Sequence, residues 1–326
     1  MVIDGEGIGH DLRESGQPTL SARHLDDFYH ADAILLVEES TKPFSGGGKS
    51  ALAALARNGY LSKSVLTFSK LDQRDGDRPD TIADVQRSLR NLLHALAADH
   101  DLWIHQDTLD IRYLADMHRE EPDEASKGAM IQLLRTIKAK AVQGKPGFVR
   151  PTYDFELLAP CLDHATAEFR ACWDAYLAED RAARTPWQTV KAFTYRLAWG
   201  QEEYRDLRPV ATLHAALMTT LGPFLTHPTG WDQEATGTLQ QASLDRVTQE
   251  VSHALLHRIR ERLVAHHQHE WHAAAALRGL GSTRIRASHI THVLHTAVPL
   301  MAEEHARSWK DAVKACVHTA LYHCAG

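Results

Sequence analysis

Residues 64–72 read SVLTFSKLD, an apolar run that ends in a polar, charged turn. Such a continuous run is typical of a strand that is buried on both faces of a parallel sheet. Residues 33–37 read AILLV and have the same character, and residues 111–115 give a third strand pattern. We therefore expect three strands, over 33–37, 64–68 and 111–115.

Helical patterns alternate with these strands. They cover residues 19–31, 50–58, 80–98 and 123–142. Because strand and helix alternate, the strands should be parallel, with helices on both faces of the sheet. The sequence thus predicts an α/β domain over residues 1–145.

The second half of the chain has a different pattern. After a break at residues 144–147, which read GKPG, the strand patterns largely vanish and the periodicity becomes helical. We expect an all-α domain over 150–326, with one long helix over 233–277. Six of the seven tryptophans lie in this half, and we expect them to anchor its core. The predicted fold class is α/β followed by all-α.

Composition excludes several classes of protein. The 326 residues are 44% hydrophobic and 24% charged, which excludes a disordered chain and a disulfide-stapled miniprotein. The net charge of -6 argues against a dedicated nucleic-acid binder, which needs a basic surface. Four cysteines without a CxxC pair predict reduced thiols in a cytoplasmic protein. No apolar stretch approaches the roughly 20 residues of a membrane span.

Two strand-end motifs carry the candidate chemistry. The first is Asp4-x-x-Gly7, and the second is Ser69-Lys70-x-Asp72, which follows a buried strand. In this order and at this spacing, the motifs resemble those in the later half of a P-loop GTPase domain of bacterial dynamin-like type. The resemblance covers about residues 1–142, and the helical remainder is similar to the helical parts of dynamin-like GTPases. It implies binding and hydrolysis of GTP with Mg²⁺ as cofactor.

The resemblance also implies a role for each motif residue. Asp4 would hold Mg²⁺ through a water molecule, and the Gly7 N–H would contact the γ-phosphate. Asp72 would accept two hydrogen bonds from guanine, while the Lys70 stem packs on the ring. Ser69 stands where the family has Asn or Thr, and Ala115 would lie near the backbone that contacts the guanine oxygen.

Two departures from the family concern hydrolysis and phosphate binding. Ile8 stands where many GTPases carry a water-orienting Gln, so Glu6 and His10 become candidates for that task. No phosphate loop precedes Asp4, and we therefore expect upstream residues to be missing and GTP binding by this chain to be weak or absent. In the alternative interpretation, Asp4 and Asp72 only cap turns and helices.

A glycine-rich segment gives a second phosphate-loop candidate. Residues 43–50 read PFSGGGKS, and a true loop would place Lys49 on phosphate oxygens and the Ser50 hydroxyl on Mg²⁺. The full pattern requires Gly at position 43, where Pro offers no N–H. We interpret the Gly46–Ser50 loop as a flexible connector, and an ATPase that uses it remains an alternative.

The chain contains 22 histidines, several of them at helical spacing. His253 and His257 are four residues apart, and His289, His292 and His295 are spaced by three. These spacings can place imidazoles on one helix face, within reach of a zinc ion, but no HExxH motif is present. We interpret them as solvated or interface histidines, with a metal site as the alternative.

The expected partners follow from the resemblance. They are a guanine nucleotide for the α/β domain, and another copy of the chain, a membrane surface or a protein for the helical domain. The alternative from a different class is a non-catalytic helical scaffold with a degenerate nucleotide domain.

Overall fold

A computed structural model describes residues 20–44, 47–73, 78–100, 102, 104–142, 147–178, 187–201, 204 and 207–325. They divide into two compact units, one with residue 20 and residues within 24–147, the other with residues 21–23 and residues within 148–325. The first is an α/β unit and the second is almost entirely helical. The order α/β followed by all-α agrees with the predicted fold class.

The α/β unit contains a three-stranded parallel sheet. Its strands are β1 (Ile34–Glu39), β2 (Ser64–Ser69) and β3 (Asp110–Tyr113), in the spatial order β1-β2-β3. Leu36 lies opposite Leu66, which in turn lies opposite Ile111. The predicted three parallel strands are therefore confirmed, with small shifts of their ends.

Helices cover both faces of the central strand. They are α2 (Gly47–Arg57), α3 (Arg78–His100) and α4 (Glu124–Val142), whereas α1 (Ala22–His30) packs near Ile34 of β1. On one face, Leu66 and Phe68 pack against residues of α2 and α3, such as Leu89. On the other face, Val65 packs against Leu133 of α4. Alternate side chains of β2 thus enter two separate clusters, as expected for a strand with helices on both sides.

Strand β1 differs from the prediction in its burial. Its apolar run predicts a strand that is buried on both faces, but Leu35 is 42% exposed and Val37 is 54% exposed. Both lie on the face that α4 covers over β2 and β3. Within the described part of the chain β1 is an edge strand, and no helix covers this face of it.

The helical unit is built from seven helices and one short strand pair among the residues described. Its helices are α5 (Leu158–Leu177), α6 (Trp187–Ala198), α7 (Pro209–Thr226), α8 (Gly237–Arg260), α9 (Gln268–Ala276), α10 (Ser282–Ala297) and α11 (Ala306–Ala325). Strands β4 (Pro151–Thr152) and β5 (Gly230–Trp231) pair antiparallel. Helix α7 packs on α5 and α8, and α9 packs on α6 and α10.

The predicted single helix over 233–277 is wrong. Helix α8 ends at Arg260, a wide π-helical turn covers Glu261–Ala265, and α9 begins at Gln268. Buried Trp271 of α9 explains the break, because its indole N–H donates to the Leu263 carbonyl at 2.7 Å. The widened turn disrupts the regular backbone ladder and leaves that carbonyl to the indole.

The six tryptophans of this unit differ in burial. Trp173, Trp271 and Trp309 are buried, and Trp173 stacks on Phe193 at 5.8 Å between ring centroids. Trp231 is half-buried, and Trp187 and Trp199 of α6 and its end are 53% and 61% exposed. The prediction of core anchors therefore holds for the first group only. None of the described helices is both long enough and apolar enough to cross a bilayer.

Candidate functional site

The carboxyl ends of the three parallel strands form the edge of the sheet where the candidate residues lie. The loop after β2 contains Lys70 and Asp72, and the loop after β3 contains Ala115 and Asp116. The two loops are tied together by the Leu71 N–H, which donates to the Leu114 carbonyl at 3.3 Å. Ligand sites of open α/β sheets occur at this edge.

Left-handed backbone conformations single out the same edge. Among the described residues, three that are not glycine have positive φ: Phe44 at 61°, Lys70 at 57° and Asp116 at 55°. Each follows a different strand of the sheet. Such conformations cost about 1–3 kcal/mol each and cluster at ligand sites, where surrounding contacts hold them in place. The backbone at this edge is therefore held by its contacts with neighbouring loops.

Asp72 is fixed as a hydrogen-bond acceptor. Its Oδ1 accepts from the Asp116 N–H at 2.8 Å, and its Oδ2 lies 3.6 Å from His118 Nδ1. Partial burial acts to raise the pKa of Asp72, but backbone hydrogen bonds, above all from Asp116, and the nearby His118 and Arg119 side chains outweigh it, so the pKa is lowered. The carboxylate is therefore ionised at neutral pH, and each oxygen keeps lone pairs for further donors.

Lys70 and Ser69 are held by β1. The Lys70 ammonium forms an ion pair with the Glu39 carboxylate at the end of β1, and both side chains are about half exposed. Ser69 Oγ donates to the Glu38 carbonyl at 3.2 Å, and the Ser69 carbonyl accepts from the Ser40 N–H at 2.9 Å. Ser69 therefore joins two strand ends, while Lys70 extends from the edge.

The sequence patterns do not identify three residues of this edge, Asp116, Arg78 and Arg119. Asp116 is buried between two cations, since its Oδ2 lies 2.9 Å from Arg78 and its Oδ1 lies 2.9 Å from Arg119. Arg78 also binds the Ser126 hydroxyl at 3.0 Å, next to the start of α4. Ala115 is buried beside Asp116, and the backbone N–H that contacts Asp72 belongs to Asp116. A polar residue directly after a predicted strand is the signal that could have identified Asp116.

The glycine-rich segment after β1 is filled by a carboxyl group of the same strand. Helix α2 begins at Gly47, so Gly47 and Gly48 are helical and buried, and do not form a flexible connector. The Glu38 side chain lies against Gly48, where an added Cβ would overlap its carboxyl group, and it accepts from the Phe44 N–H at 3.0 Å. Burial raises the pKa of Glu38, more than the Phe44 hydrogen bond lowers it, and Glu39 adds to the increase.

This arrangement disfavours phosphate at the start of α2. A phosphate loop offers free backbone N–H groups and space for an anion at the N-terminus of a helix. Here an acidic side chain already occupies the surface of Gly48. A bound phosphate would have to displace Glu38 or share the position with a second negative group.

The other predicted site residues lie outside the described residues. These are Asp4 and Gly7, with the neighbouring candidates Glu6, Ile8 and His10. Their predicted roles toward Mg²⁺ and the γ-phosphate therefore stay predictions. The structure brings together Ser69, Lys70, Asp72 and Ala115 at one edge of the sheet.

Comparison of the chain with protein-family models, with curated protein sequences and with solved structures gave no match.

Proposed function

We propose that the α/β unit binds the guanine base of GTP at the ends of β2 and β3. The observation that carries this proposal is the state of Asp72, an ionised carboxylate fixed by the Asp116 N–H at 2.8 Å. Guanine presents two adjacent N–H groups, and a fixed carboxylate is the acceptor that matches both. Adenine lacks this pair of donors, so the site would select guanine.

Lys70 supplies the second contact in this proposal. Its left-handed backbone turns the side chain out of the strand direction, and Glu39 holds the ammonium at the end of β1. The aliphatic stem of a lysine can cover the face of a flat ring while its charged end stays in water. Asp116 would act as a positioning residue for Asp72, and Arg78 and Arg119 would balance its charge.

Hydrolysis of GTP with Mg²⁺ belongs to the same proposal and depends on Asp4 and Gly7. Their contribution follows from the resemblance to dynamin-like GTPases. A magnesium ion would neutralise charge on the phosphates during phosphoryl transfer. The described residues support the base contact and offer no cradle for phosphate, because Glu38 fills the start of α2.

Titration of the chain with nucleosides and nucleotides tests the base contact. We expect guanosine and GTP to bind with similar Kd values, on the order of 1 mM, because the base supplies most of the affinity. Adenosine and ATP serve as controls and should bind at least tenfold more weakly. Ligand-observed NMR can measure these affinities. Equal binding of ATP and GTP, or no binding of guanosine at 10 times that concentration (~10 mM), would overturn the proposal and favour the scaffold alternative.

For the helical unit we propose a role in contact with an anionic membrane surface, through the outer face of α6. Apart from Gln188, the exposed positions of this helix segment are aromatic or basic: Trp187, Lys191, Tyr195, Arg196 and Trp199. Residues 187–199 contain no Asp or Glu. Tryptophan and tyrosine favour the lipid–water interface, and lysine and arginine favour anionic headgroups.

Sedimentation with lipid vesicles tests this second proposal. The chain should pellet with phosphatidylserine vesicles and much less with phosphatidylcholine vesicles, since the cations need anionic lipid. Trp199→Ala should weaken the binding severalfold, while Trp231→Ala on the short strand pair serves as a control. Self-association at equal strength with and without vesicles would instead assign the face to a second copy of the chain.

A further inference from the structure

His253 and His257 point their ring nitrogens at each other from successive turns of α8. The two Nε2 atoms are 3.0 Å apart, and the ring centroids are 4.5 Å apart with planes inclined by 82°. His253 is half-buried and His257 is exposed. Both lie in the interior of a 24-residue helix, so the backbone fixes their relative positions.

These distances distinguish two arrangements of an imidazole pair. A straight N–H···N hydrogen bond places both rings along the N···N line, which would separate the centroids by roughly 5 Å or more. The observed 4.5 Å requires the rings to tilt away from that line. A tilt of both rings toward one side aims their lone pairs at a common point about 2 Å from each nitrogen, which is the length of a Zn–N bond.

We propose that His253 and His257 form a chelating site for a divalent transition-metal ion of the zinc class. Neutral imidazole nitrogens suit Zn²⁺, Ni²⁺ and Cu²⁺, and they disfavour Mg²⁺ and Ca²⁺, which prefer oxygen ligands. Water molecules would complete the coordination of the ion. The site is independent of the guanine site, because both ligands come from one helix of the helical unit.

The charges on neighbouring helical positions suit a cation. Glu250 lies one turn before His253 on the same helix, and its Oε2 is 3.8 Å from His323 Nδ1 of α11. On the other side, Arg260 and Glu261 lie one turn after His257, and Glu261 also forms an ion pair with Arg258 at 2.6 Å. An incoming metal ion therefore meets a carboxylate one turn away on each side, with Arg260 as the opposing charge.

Calorimetric titration of the full chain with Zn²⁺ tests the proposal. We expect one site with a Kd on the order of 10 µM, since two of the usual four protein ligands are present. His257→Gln and His253→Gln should each weaken that site about tenfold or more. His289→Gln on α10 is the matched control, and should leave it unchanged. If all three variants bind Zn²⁺ as tightly as the parent, the proposal is wrong, and the two rings are joined only by a bent hydrogen bond.

A rescue variant separates loss of a ligand from loss of structure. His257→Cys restores a zinc-class ligand at the same position, so metal binding should return. With Co²⁺ as the probe, this variant should also show a thiolate-to-cobalt charge-transfer band that the parent lacks. Failure of His257→Cys to bind Co²⁺, with the circular dichroism of the parent retained, would contradict the site. Mg²⁺ at a hundredfold excess should not compete, which distinguishes this site from one made of carboxylates.

Discussion

The carboxyl ends of β1 and β2 lie side by side in one sheet and hold their carboxyl groups in opposite ways. Near the end of β1, Glu38 lies over Gly48 and has a raised pKa because it is buried. After β2, Asp72 has a lowered pKa because backbone hydrogen bonds and the nearby His118 and Arg119 side chains stabilise its charge. Environments that move two carboxyl pKa values apart indicate different tasks for the two groups.

This difference explains why the base-reading pattern after β2 is a better indicator of a ligand site than the phosphate-loop pattern after β1. Residues 46–50 contain the glycines, lysine and serine of a phosphate loop, but the space beside Gly48 is occupied by the chain's own side chain. Residues 70–73, which carry Lys70 and Asp72, contain no glycine, yet they hold an ionised acceptor in a backbone that other loops fix. We infer that β1 ends in a structural loop and β2 ends in a binding loop.

Asp72→Asn should have the largest effect on the proposed binding loop. Asparagine replaces one acceptor by an N–H donor, which opposes the guanine N–H groups and matches the carbonyl of xanthine. We expect guanosine binding to become undetectable, a loss of about a hundredfold, and xanthosine to bind as guanosine binds the parent. Ligand-observed NMR with both nucleosides measures the change. Asp107→Asn, in a different exposed turn, is the control, and unchanged guanosine binding in Asp72→Asn would remove Asp72 from the site.

Gly48→Ala should have the largest effect on stability at the structural loop. The added Cβ overlaps the Glu38 carboxyl group, and Glu38 cannot move away without losing the Phe44 N–H. The lost hydrogen bond costs about 0.5–1.5 kcal/mol, which offsets the helix-propensity gain of about 0.5–1 kcal/mol, so we expect the free energy of unfolding to stay equal or to fall by up to about 1 kcal/mol. Gly128→Ala in α4 is the matched control, since no atom lies within 4 Å of its Cβ, and it should stabilise by about 0.5–1 kcal/mol. Urea unfolding distinguishes the two, and equal midpoints would mean that Glu38 does not fill the space beside Gly48.

The pH dependence of stability should differ between Glu38→Gln and Asp72→Asn. The folded pKa of Glu38 is raised above its ordinary 4.5, so its contribution is fully present below pH 4.5 and is lost as the pH rises through the folded pKa. The stability of Glu38→Gln relative to the parent should therefore increase between pH 4.5 and pH 7. Asp72 has a pKa lowered from 3.8, so its contribution is constant in that range and is lost only as the pH falls through the lowered value. Urea unfolding at several pH values tests this contrast. If the stabilities of the two variants relative to the parent change with pH in the same way, the assignment of opposite pKa shifts is wrong.

Lys49→Ala should have the smallest effect. If Glu38 excludes phosphate from the start of α2, the affinity for GTP should change less than twofold. A phosphate-binding lysine makes charge-assisted hydrogen bonds worth about 1.5–3 kcal/mol, so its loss would reduce affinity more than tenfold. The same NMR titration, with GTP as ligand, separates these outcomes. A tenfold loss would favour the ATPase alternative that uses Lys49 and Ser50.

Local sequence patterns predict the central part of the sheet correctly and its edge poorly. Strand β2 follows directly from its continuous apolar run, because helices cover both of its faces. Strand β1 has the same kind of run, yet Leu35 and Val37 are exposed. The pattern reports the hydrophobicity of a strand, whereas burial depends on which neighbouring elements cover it.

Contacts between distant residues explain what the sequence could not predict at the candidate site. The Asp72–Asp116 hydrogen bond joins residues 44 positions apart, and its donor is a backbone N–H, which has no signature in the sequence. The position of Glu38 over Gly48 depends on how α2 leaves the sheet. Likewise, the break after α8 depends on the Leu263 carbonyl that accepts from Trp271. Residue types indicated Lys70 and Asp72, but only packing distinguishes the two loops.

The most direct test of a base site at the β2 and β3 ends is a map of amide chemical shifts during titration with guanosine. In a deuterated, ¹⁵N-labelled chain, the amides of Lys70, Leu71 and Asp116 should shift together with a single Kd, and those of Gly48 and Lys49 should not move. Adenosine should produce no such change at the same concentration. Shifts confined to residues 47–50, or spread equally over both loops with either nucleoside, would contradict the assignment of β2 as the strand that ends in the binding loop.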